Sequence, residues 1–293
     1  MKNTWYPDID TETLTALKKD YLNLMRNRPH SAIVQRYFDD FRSAYVYNTN
    51  AIEGNPITHA DTAYIINSNT FLENYSAIHN MEVVGSNKAW DYVLTQAAWA
   101  SSSRSERPAL PPLTMETVLN IHKRVLFFDE ENSGIFRKSP VYVGEKQMPD
   151  AERIAEGMAS LLKLNEEDPF RRIAHFHLSF ENLHPFIDGN GRTGRMLINL
   201  QLLQEGFLPI NIKYNAVGRY YRCFRQYDIA REKGIQEMFN LITKYEHDEL
   251  TALMQAIRVN GHMSAEKAVE QDYVGYGEQV DGYDNDDDWE NEV

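Results

Sequence analysis

Residues 184–195 read HPFIDGNGRTGR and lie between two stretches whose apolar residues recur at helical spacing. Gly189 and Gly191 flank Asn190, so the backbone there can take a positive φ and turn successive N–H groups to one side. The helix that follows adds the positive end of its dipole to those N–H groups. We therefore predict a phosphate-binding turn at the start of a helix.

Charged and titratable side chains surround this turn. Arg192 and Arg195 stand at the start of the following helix, where a cation opposes the helix dipole unless an anion is bound beside it. Two such arginines predict a polyphosphate or a carboxylate as their partner. Asp188 offers a hard oxygen ligand suited to a Mg²⁺ that bridges phosphate oxygens. His184 is the residue of this stretch whose ordinary pKa lies near neutrality, as a proton acceptor requires.

A glycine-rich turn with surface arginines is the simpler interpretation of a short Gly-Asn-Gly run. Here the residue types of all twelve positions of 184–195 fit one anion-binding pattern, and this disfavours the simpler interpretation. The sequence contains no Walker A pattern and no kinase signature set, so this turn does not belong to those standard phosphoryl-transfer frames. A base, a metal ligand and a phosphate-binding turn outside those frames indicate a different kind of transfer.

The composition limits the kinds of partner that the protein can bind and indicates its cellular compartment. The 293 residues carry 43 Asp and Glu against 30 Lys and Arg, a formal net charge of -13, which disfavours binding to nucleic acid or to an anionic membrane. Residues 268–293 hold ten acids and no base, so we expect a solvated, disordered acidic tail. One cysteine, Cys223, excludes an internal disulfide and suits a reducing compartment. With no secretory signal and no apolar run of membrane-span length, the predicted location is cytoplasmic.

Apolar periodicity predicts helices along most of the chain. The first begins at Asp10 or Thr11 and the third at Thr58, and the others cover residues 33–52, 80–98, 115–128, 150–165, 170–183, 191–205, 216–233 and 235–258. Residues 140–149 alone resemble β-strand, and a short exposed hairpin and a plain connecting loop fit them equally well. We predict an all-α protein made of an N-terminal helical segment (1–100), a linker (101–112), a catalytic core (113–260) and the tail (261–293).

Three histidines, His175, His177 and His184, invite comparison with a metal cluster. Positions 175 and 177 point to different sides of a helix, so the three side chains cannot converge without distortion. We therefore expect His177 to be a packed, hydrogen-bonded histidine. Phe186, which offers no polar chemistry, is expected to anchor the turn in the core.

The segment 184–195 matches the HxFx(D/E)GNGRxxR motif of Fic domain proteins at every defined position, and in this it resembles that family. Residues 134–137 (GIFR) and the hairpin after them resemble the family's target-binding flap less sharply. The resemblance covers residues 30–260 approximately. It implies a Fic-type helical bundle core with a short β-hairpin flap.

The resemblance also implies an activity, the transfer of AMP from ATP to a Ser, Thr or Tyr hydroxyl of a target protein. In that scheme His184 removes the hydroxyl proton, Asp188 holds Mg²⁺, and the target protein docks on the flap near residues 140–148. The phosphates are held by the backbone amides or side chains of Gly189, Asn190, Gly191, Arg192 and Arg195.

Thr49, Glu53 and Gly54 match the inhibitory (S/T)xxxE(G/N) motif of the Fic proteins that carry an inhibitory helix at the N-terminus. Taken alone, Glu53 is a carboxylate at the negative end of a predicted helix, and a solvated side chain beside a glycine cap is the simpler interpretation. The resemblance implies instead that Glu53 pairs with Arg195 and displaces the γ-phosphate. We therefore expect an autoinhibited enzyme, with self-AMPylation among its activities and residues 33–54 as its inhibitory helix.

Two other functions stay open at this point. One is a Fic enzyme that transfers another phosphate-containing group or removes AMP, because the motif determines the phosphates and not the base. The other is a nonenzymatic interaction module that binds through the flap and the acidic tail. The intact His184, Asp188 and both arginines disfavour the module. The target, and whether the chain forms a homo-oligomer, are left open.

Overall fold

The computed structural model describes residues 9–26, 32–101 and 113–261. These residues form ten α-helices and one small sheet, and the predicted all-α class with a hairpin is confirmed. The helices are α1 Thr11–Arg26, α2 Ala32–Ala51, α3 His59–Ser68, α4 Ala77–Ser101, α5 Met115–Val125, α6 Ile154–Leu161, α7 Pro169–Leu183, α8 Asn190–Gln204, α9 Val217–Ile229 and α10 Arg231–Gly261. The strands are β1 Tyr142–Val143 and β2 Lys146–Gln147.

Side-chain caps begin several helices where the sequence predicts them. The Thr13 N–H donates to Asp10 Oδ1 at 2.8 Å at the start of α1, and the Asp61 N–H donates to Thr58 Oγ1 at 3.2 Å at the start of α3. Each bond satisfies a backbone donor that has no partner inside its helix. These two helix starts are confirmed.

Two hydrophobic clusters lie on either side of the α7–α8 pair. In one, residues of α1, α9 and α10 pack on Phe170 and Ile173 of α7 and on Ile198 of α8. In the other, residues of α2, α4 and α5 pack on Phe180 of α7 and Leu197 of α8. Helix α8 is therefore covered on all sides, and the turn that joins α7 to α8 is positioned by the whole core.

The end of α9 differs from the prediction. Instead of one helix over 216–233, α9 stops at Ile229, Ala230 takes an extended backbone, and α10 begins at Arg231. A Cβ on Gly234 would lie 2.4 Å from Tyr227 Cα, so Gly234 lets the start of α10 approach α9 closely. The break depends on this packing, which helical periodicity does not encode.

The hairpin is short and exposed. Tyr142 pairs with Gln147 and Val143 with Lys146 in an antiparallel register.

The predicted helix over 150–165 is shorter than expected, because residues 151–153 form a 3₁₀ turn before α6. Most of the predicted linker, residues 102–112, and the acidic tail from residue 262 lie outside the described residues. Within the described ranges no helix combines the length and the apolarity needed to cross a bilayer.

Candidate active site

The turn between α7 and α8 is held by its own side chains. His184 ends α7 in the left-handed conformation (φ 49°), with its N–H donating to Phe180 O at 2.9 Å. The Asn190 side chain accepts from the Phe186 N–H and donates to the Phe186 carbonyl, both at 2.9 Å. Asn190 is 2% exposed, so this pair of bonds is shielded from water. The asparagine side chain thus closes the loop, while its backbone begins α8.

Phe186 is fully buried, as expected, and it stacks on His122 with ring centroids 3.6 Å apart. The sequence analysis did not single out His122. Its Nδ1 lies 2.9 Å from the Gly134 N–H and its Nε2 lies 2.9 Å from the Asp188 carbonyl. Because the amide can only donate and the carbonyl can only accept, the imidazole is neutral with its proton on Nε2. Burial lowers its pKa to about 4, which agrees with that assignment.

Asp188 and the two glycines form the mouth of the turn. Gly189 takes the predicted positive φ, 74°, and its N–H donates to Asp188 Oδ1 at 2.6 Å. The prediction of a positive φ at Gly191 is wrong, because Gly191 lies inside the regular helix α8. A Cβ on Gly191 would lie 2.2 Å from Glu53 Oε1, so a larger residue there would have to displace the Glu53 carboxylate.

The side chain of Asp188 is 63% exposed at the N-terminal end of α8. It presents hard carboxylate oxygens beside the positive end of the helix dipole, where phosphate groups are stabilised. This donor chemistry fits a Mg²⁺ ion shared with phosphate oxygens.

Arg192 is 2% exposed, so it is not a surface arginine. Its Nη1 lies 3.0 Å from Glu82 Oε1 and its Nη2 donates to Asp188 Oδ2 at 3.2 Å. Glu82 stands on α4, more than a hundred residues before Arg192. No local pattern marks Glu82, and the sequence analysis missed it.

Arg195 is 3% exposed and contacts the C-terminal end of α2. Its Nε donates to Thr49 Oγ1 at 2.9 Å, and its Nη2 donates to the Thr49 carbonyl at 2.8 Å and to Glu53 Oε1 at 2.6 Å. Burial alone would lower the pKa of the guanidinium, but the Glu53 carboxylate raises it above its ordinary value. This is the pairing that the resemblance implies. Gly54, with φ 85°, turns the chain away directly afterwards.

His184 has one nitrogen that can accept a proton. Its Nδ1 lies 3.3 Å from the Glu181 carbonyl, which can only accept, so Nδ1 carries the proton and Nε2 has a free lone pair. Burial lowers the pKa of His184 below its ordinary value, so the ring is neutral near pH 7. The turn therefore places a neutral imidazole beside the N-terminal end of α8, where the helix dipole favours an anion.

Glu181 is a second group that the sequence analysis missed. Burial raises the pKa of its carboxyl to about 8, so it carries a proton at neutral pH. A Cβ on Gly194 would lie 2.2 Å from Glu181 Oε1, which explains glycine at that position. Beside it, His177 is packed and hydrogen-bonded as expected, with Nε2 2.8 Å from the Tyr220 hydroxyl.

The flap is joined to the site through Arg137, which is 5% exposed. Its Nε donates to the His184 carbonyl at 2.7 Å, while Nη1 and Nη2 donate to the carbonyls of Ser139 and Pro149 at 3.0 and 2.6 Å. On β2, Lys146 Nζ donates to Asn182 Oδ1 at 2.7 Å. The hairpin is thus held next to His184.

Residues 112–202 match the Fic/DOC family, and this segment includes the whole turn and both arginines. The chain carries a Fic domain. A segment of 256 residues is 30% identical to protein adenylyltransferase fic-1 of Caenorhabditis briggsae and covers 85% of this chain and 48% of that protein. Protein adenylyltransferase Fic of Nematostella vectensis is 30% identical over 67% of this chain and 44% of its own length. The chain thus spans about half the length of these curated relatives.

Solved structures show the same fold. A Fic domain containing signaling protein from Bacteroides thetaiotaomicron superposes with a TM-score of 0.71 at 22% identity, covering 84% of this chain and 97% of that one. A segment of Fic-1 from Caenorhabditis elegans superposes with a TM-score of 0.68 at 25% identity, covering 83% and 70%. Both matches cover most of this chain. The Fic domain of this chain therefore has the helical fold of solved Fic proteins.

Proposed function

We propose that this chain is an autoinhibited protein adenylyltransferase that transfers AMP from ATP to a Ser, Thr or Tyr hydroxyl of a target protein. The observation that carries the proposal is the neutral imidazole of His184, whose Nε2 can accept a proton beside an anion-binding turn. The Fic domain and the relatives named protein adenylyltransferase support the same activity.

In the proposed reaction, His184 Nε2 accepts the proton of the target hydroxyl. The hydroxyl oxygen forms a bond to the α-phosphorus of ATP while the bond from that phosphorus to the bridging oxygen breaks. Pyrophosphate leaves with that bonding pair, and AMP stays on the target. The Arg137 bond to the His184 carbonyl and the contact of Nδ1 with the Glu181 carbonyl keep the ring oriented.

The anion-binding turn would hold the phosphates. The N-terminal amides of α8 and the guanidinium groups of Arg192 and Arg195 stabilise negative charge as it grows on the leaving group. Asp188, with its exposed carboxylate, would hold Mg²⁺. That ion, when bound, would neutralise phosphate charge.

Glu53 forms an ion pair with Arg195 in the structure, and we propose that this pairing is inhibitory. A guanidinium that is 3% exposed and already bonded to Glu53 and Thr49 has fewer donors to offer a γ-phosphate. ATP must therefore displace the Glu53 carboxylate to bind productively. The isolated chain should be weakly active, and self-AMPylation should rise when Glu53 is removed.

A target segment would dock along the hairpin between residues 140 and 148. The two strands of this hairpin are exposed, and Arg137 and Lys146 hold it next to His184. An open strand edge can accept an added strand from another chain. The single cysteine fits a reducing compartment, and we propose the cytoplasm as the site of action.

The test compares the transfer of radioactive phosphorus to protein from the α- and from the γ-position of ATP. Purified wild type, Glu53→Gly and Glu53→Gly with His184→Ala are incubated with Mg²⁺ and either [α-³²P]ATP or [γ-³²P]ATP, with and without a cell lysate. We expect α-label on protein with Glu53→Gly, a weaker signal with wild type, and loss of that signal with His184→Ala. Mass spectrometry of labelled peptides should show an added AMP on a hydroxyl side chain.

Specific outcomes contradict the proposal. Label transferred only from the γ-position would indicate a phosphotransferase. Absence of α-label with Glu53→Gly under every condition would contradict both the transfer and the inhibitory role of Glu53. Loss of ATP binding in the His184→Ala variant would place His184 in nucleotide binding and not in proton transfer.

A further inference from the structure

We propose that Glu82 on α4 is a positioning residue for Arg192, holding the inner edge of its guanidinium group so that the outer edge is presented to phosphate. The inference deepens the proposed function and rests on it. Glu82 lies outside the segment 184–195 and outside the inhibitory motif formed by Thr49, Glu53 and Gly54.

The two edges of Arg192 differ in their access to solvent. Nη1 lies 3.0 Å from Glu82 Oε1, and the Glu82 side chain is 18% exposed. Nη2 lies 3.2 Å from Asp188 Oδ2, and the Asp188 side chain is 63% exposed. A phosphate group therefore reaches Arg192 from the Asp188 edge. The contact with Glu82 can persist when that edge is taken by the ligand.

Arg192 needs such a persistent partner because it is 2% exposed. A buried cation without a counter-charge is strongly unfavourable. If Asp188 turns toward Mg²⁺, Glu82 is the carboxylate that still lies within ion-pair distance of Arg192 among the described residues. Glu82 then balances the charge, and this ion pair, which lacks hydrogen-bond geometry at Nη1, favours one orientation of the guanidinium group.

Glu82 also contacts the turn that carries the inhibitory carboxylate. Its Oε2 accepts from Asn55 Nδ2 at 2.8 Å, and Asn55 follows Glu53 by two residues. The backbone N–H of Asn55 donates to the Asn50 carbonyl at 3.1 Å, which fixes this turn to the end of α2. The turn of residues 53–55 is thus connected to both arginines. Glu53 pairs with Arg195 directly, and Asn55 bonds Glu82, which pairs with Arg192.

The test uses the Glu53→Gly chain as parent, so that Arg195 is free of its carboxylate. Calorimetry measures the Kd of Mg-ATP and of AMP, which lacks the β- and γ-phosphates, for the parent and for Glu82→Gln, Glu82→Asp and Glu73→Gln. Glu73 is exposed, so its variant controls for the same loss of charge. We expect Glu82→Gln to weaken Mg-ATP binding about tenfold, which corresponds to ~1.4 kcal/mol, without changing AMP binding. Glu82→Asp should restore part of the loss, and Glu73→Gln should have no effect.

Two results would overturn the inference. Tighter Mg-ATP binding by Glu82→Gln would mean that Glu82 competes with phosphate for Arg192, as proposed for Glu53 and Arg195. Equal weakening of ATP and AMP would mean that Glu82 supports the fold and not the guanidinium. The conservative variant Glu82→Asp keeps the carboxylate and serves if Glu82→Gln does not fold.

A second measurement separates this inference from the proposed function. Nitrogen-15 NMR of the Arg192 Nη groups, assigned with Arg192→Lys, reports rotation about the Cζ–Nη bonds without any nucleotide. We expect slow rotation in the parent and fast rotation in Glu82→Gln. If the parent binds no Mg-ATP but Glu82→Gln still frees Arg192, the proposed function fails and the positioning role stands. If rotation is the same in both proteins, the positioning role is refuted whatever the protein binds.

Discussion

Replacing Glu53 with Gln tests whether the carboxylate and a γ-phosphate compete for Arg195. The substitution keeps the size of the side chain and removes its charge, which lies 2.6 Å from Arg195 Nη2. The two bonds from Arg195 to Thr49, at 2.9 and 2.8 Å, are left in place. The change therefore isolates the charge of one contact.

The expected change in the free energy of unfolding follows from how far the two side chains are buried. Breaking a fully buried ion pair costs roughly 3–5 kcal/mol, and an exposed pair contributes about 0–1 kcal/mol. Arg195 is 3% exposed but the Glu53 side chain is 36% exposed, so the value lies between these limits. We expect the free energy of unfolding to fall by about 1–2 kcal/mol without nucleotide. The ATP complex lacks this pair, so Mg-ATP should bind about 5–30-fold more tightly to the variant.

Chemical denaturation without nucleotide and calorimetry with Mg-ATP measure the two quantities on the same preparation. Glu53→Gly serves as a second variant that removes the whole side chain. A fall in stability with no gain in affinity would show that the pair is structural and that no competition with phosphate exists. A gain in affinity with Glu53→Gly but not with Glu53→Gln would show that bulk and not charge excludes the phosphate.

Three further outcomes are expected. Gly191→Ala places a Cβ 2.2 Å from Glu53 Oε1, so denaturation should show a loss of about 1–2 kcal/mol that disappears in the Glu53→Gly background, and additive effects would contradict the contact. Arg137→Lys cannot reach all four carbonyls that the guanidinium bonds, so stability should fall by about 1–3 kcal/mol, and labelled transfer should fall with it; an unchanged transfer rate would separate the flap from the reaction. Burial raises the pKa of Glu246 well above its ordinary value, although its Oε1 accepts from the Leu208 N–H at 2.9 Å. The contribution of the protonated carboxyl is fully present below the unfolded pKa and is lost as pH rises toward the folded one, so the stability of Glu246→Gln relative to wild type should increase from pH 5 to pH 9, and a flat difference would refute a buried neutral acid.

Local signals predicted those parts of the fold that depend on neighbouring residues. Asp10 or Thr11 was predicted as the cap of α1 and Thr58 as the cap of α3, because a side-chain oxygen there reaches a backbone N–H a few residues ahead. The structure shows the bonds to Asp10 and Thr58. The α9–α10 break at Ala230 was not predicted. It depends on Gly234 packing against Tyr227, a contact between two helices that periodicity within one helix does not report.

The candidate site divides in the same way. The spacing in 184–195 identified the groups on the turn, because a turn and the first helical turn after it are local structures. The partners of its arginines come from elsewhere in the chain, Glu53 after α2 and Glu82 on α4. Glu53 was found through a second motif, whereas Glu82 and His122 have no motif in the sequence analysis and became visible only through their contacts.

The sequence by itself determined the helical class, the glycine-rich turn before α8 and the titratable and charged groups that the turn carries, His184, Asp188 and two arginines. Those properties follow from residue type and short spacing, which fix backbone conformation and the available donors and acceptors. Only the tertiary structure decided that both arginines are buried and paired, that the neutral His184 ring carries its proton on Nδ1, and that Gly191 lies against the Glu53 carboxylate. Burial, protonation state and ion pairing depend on which distant segments pack around a group, and that is set by the assembled core.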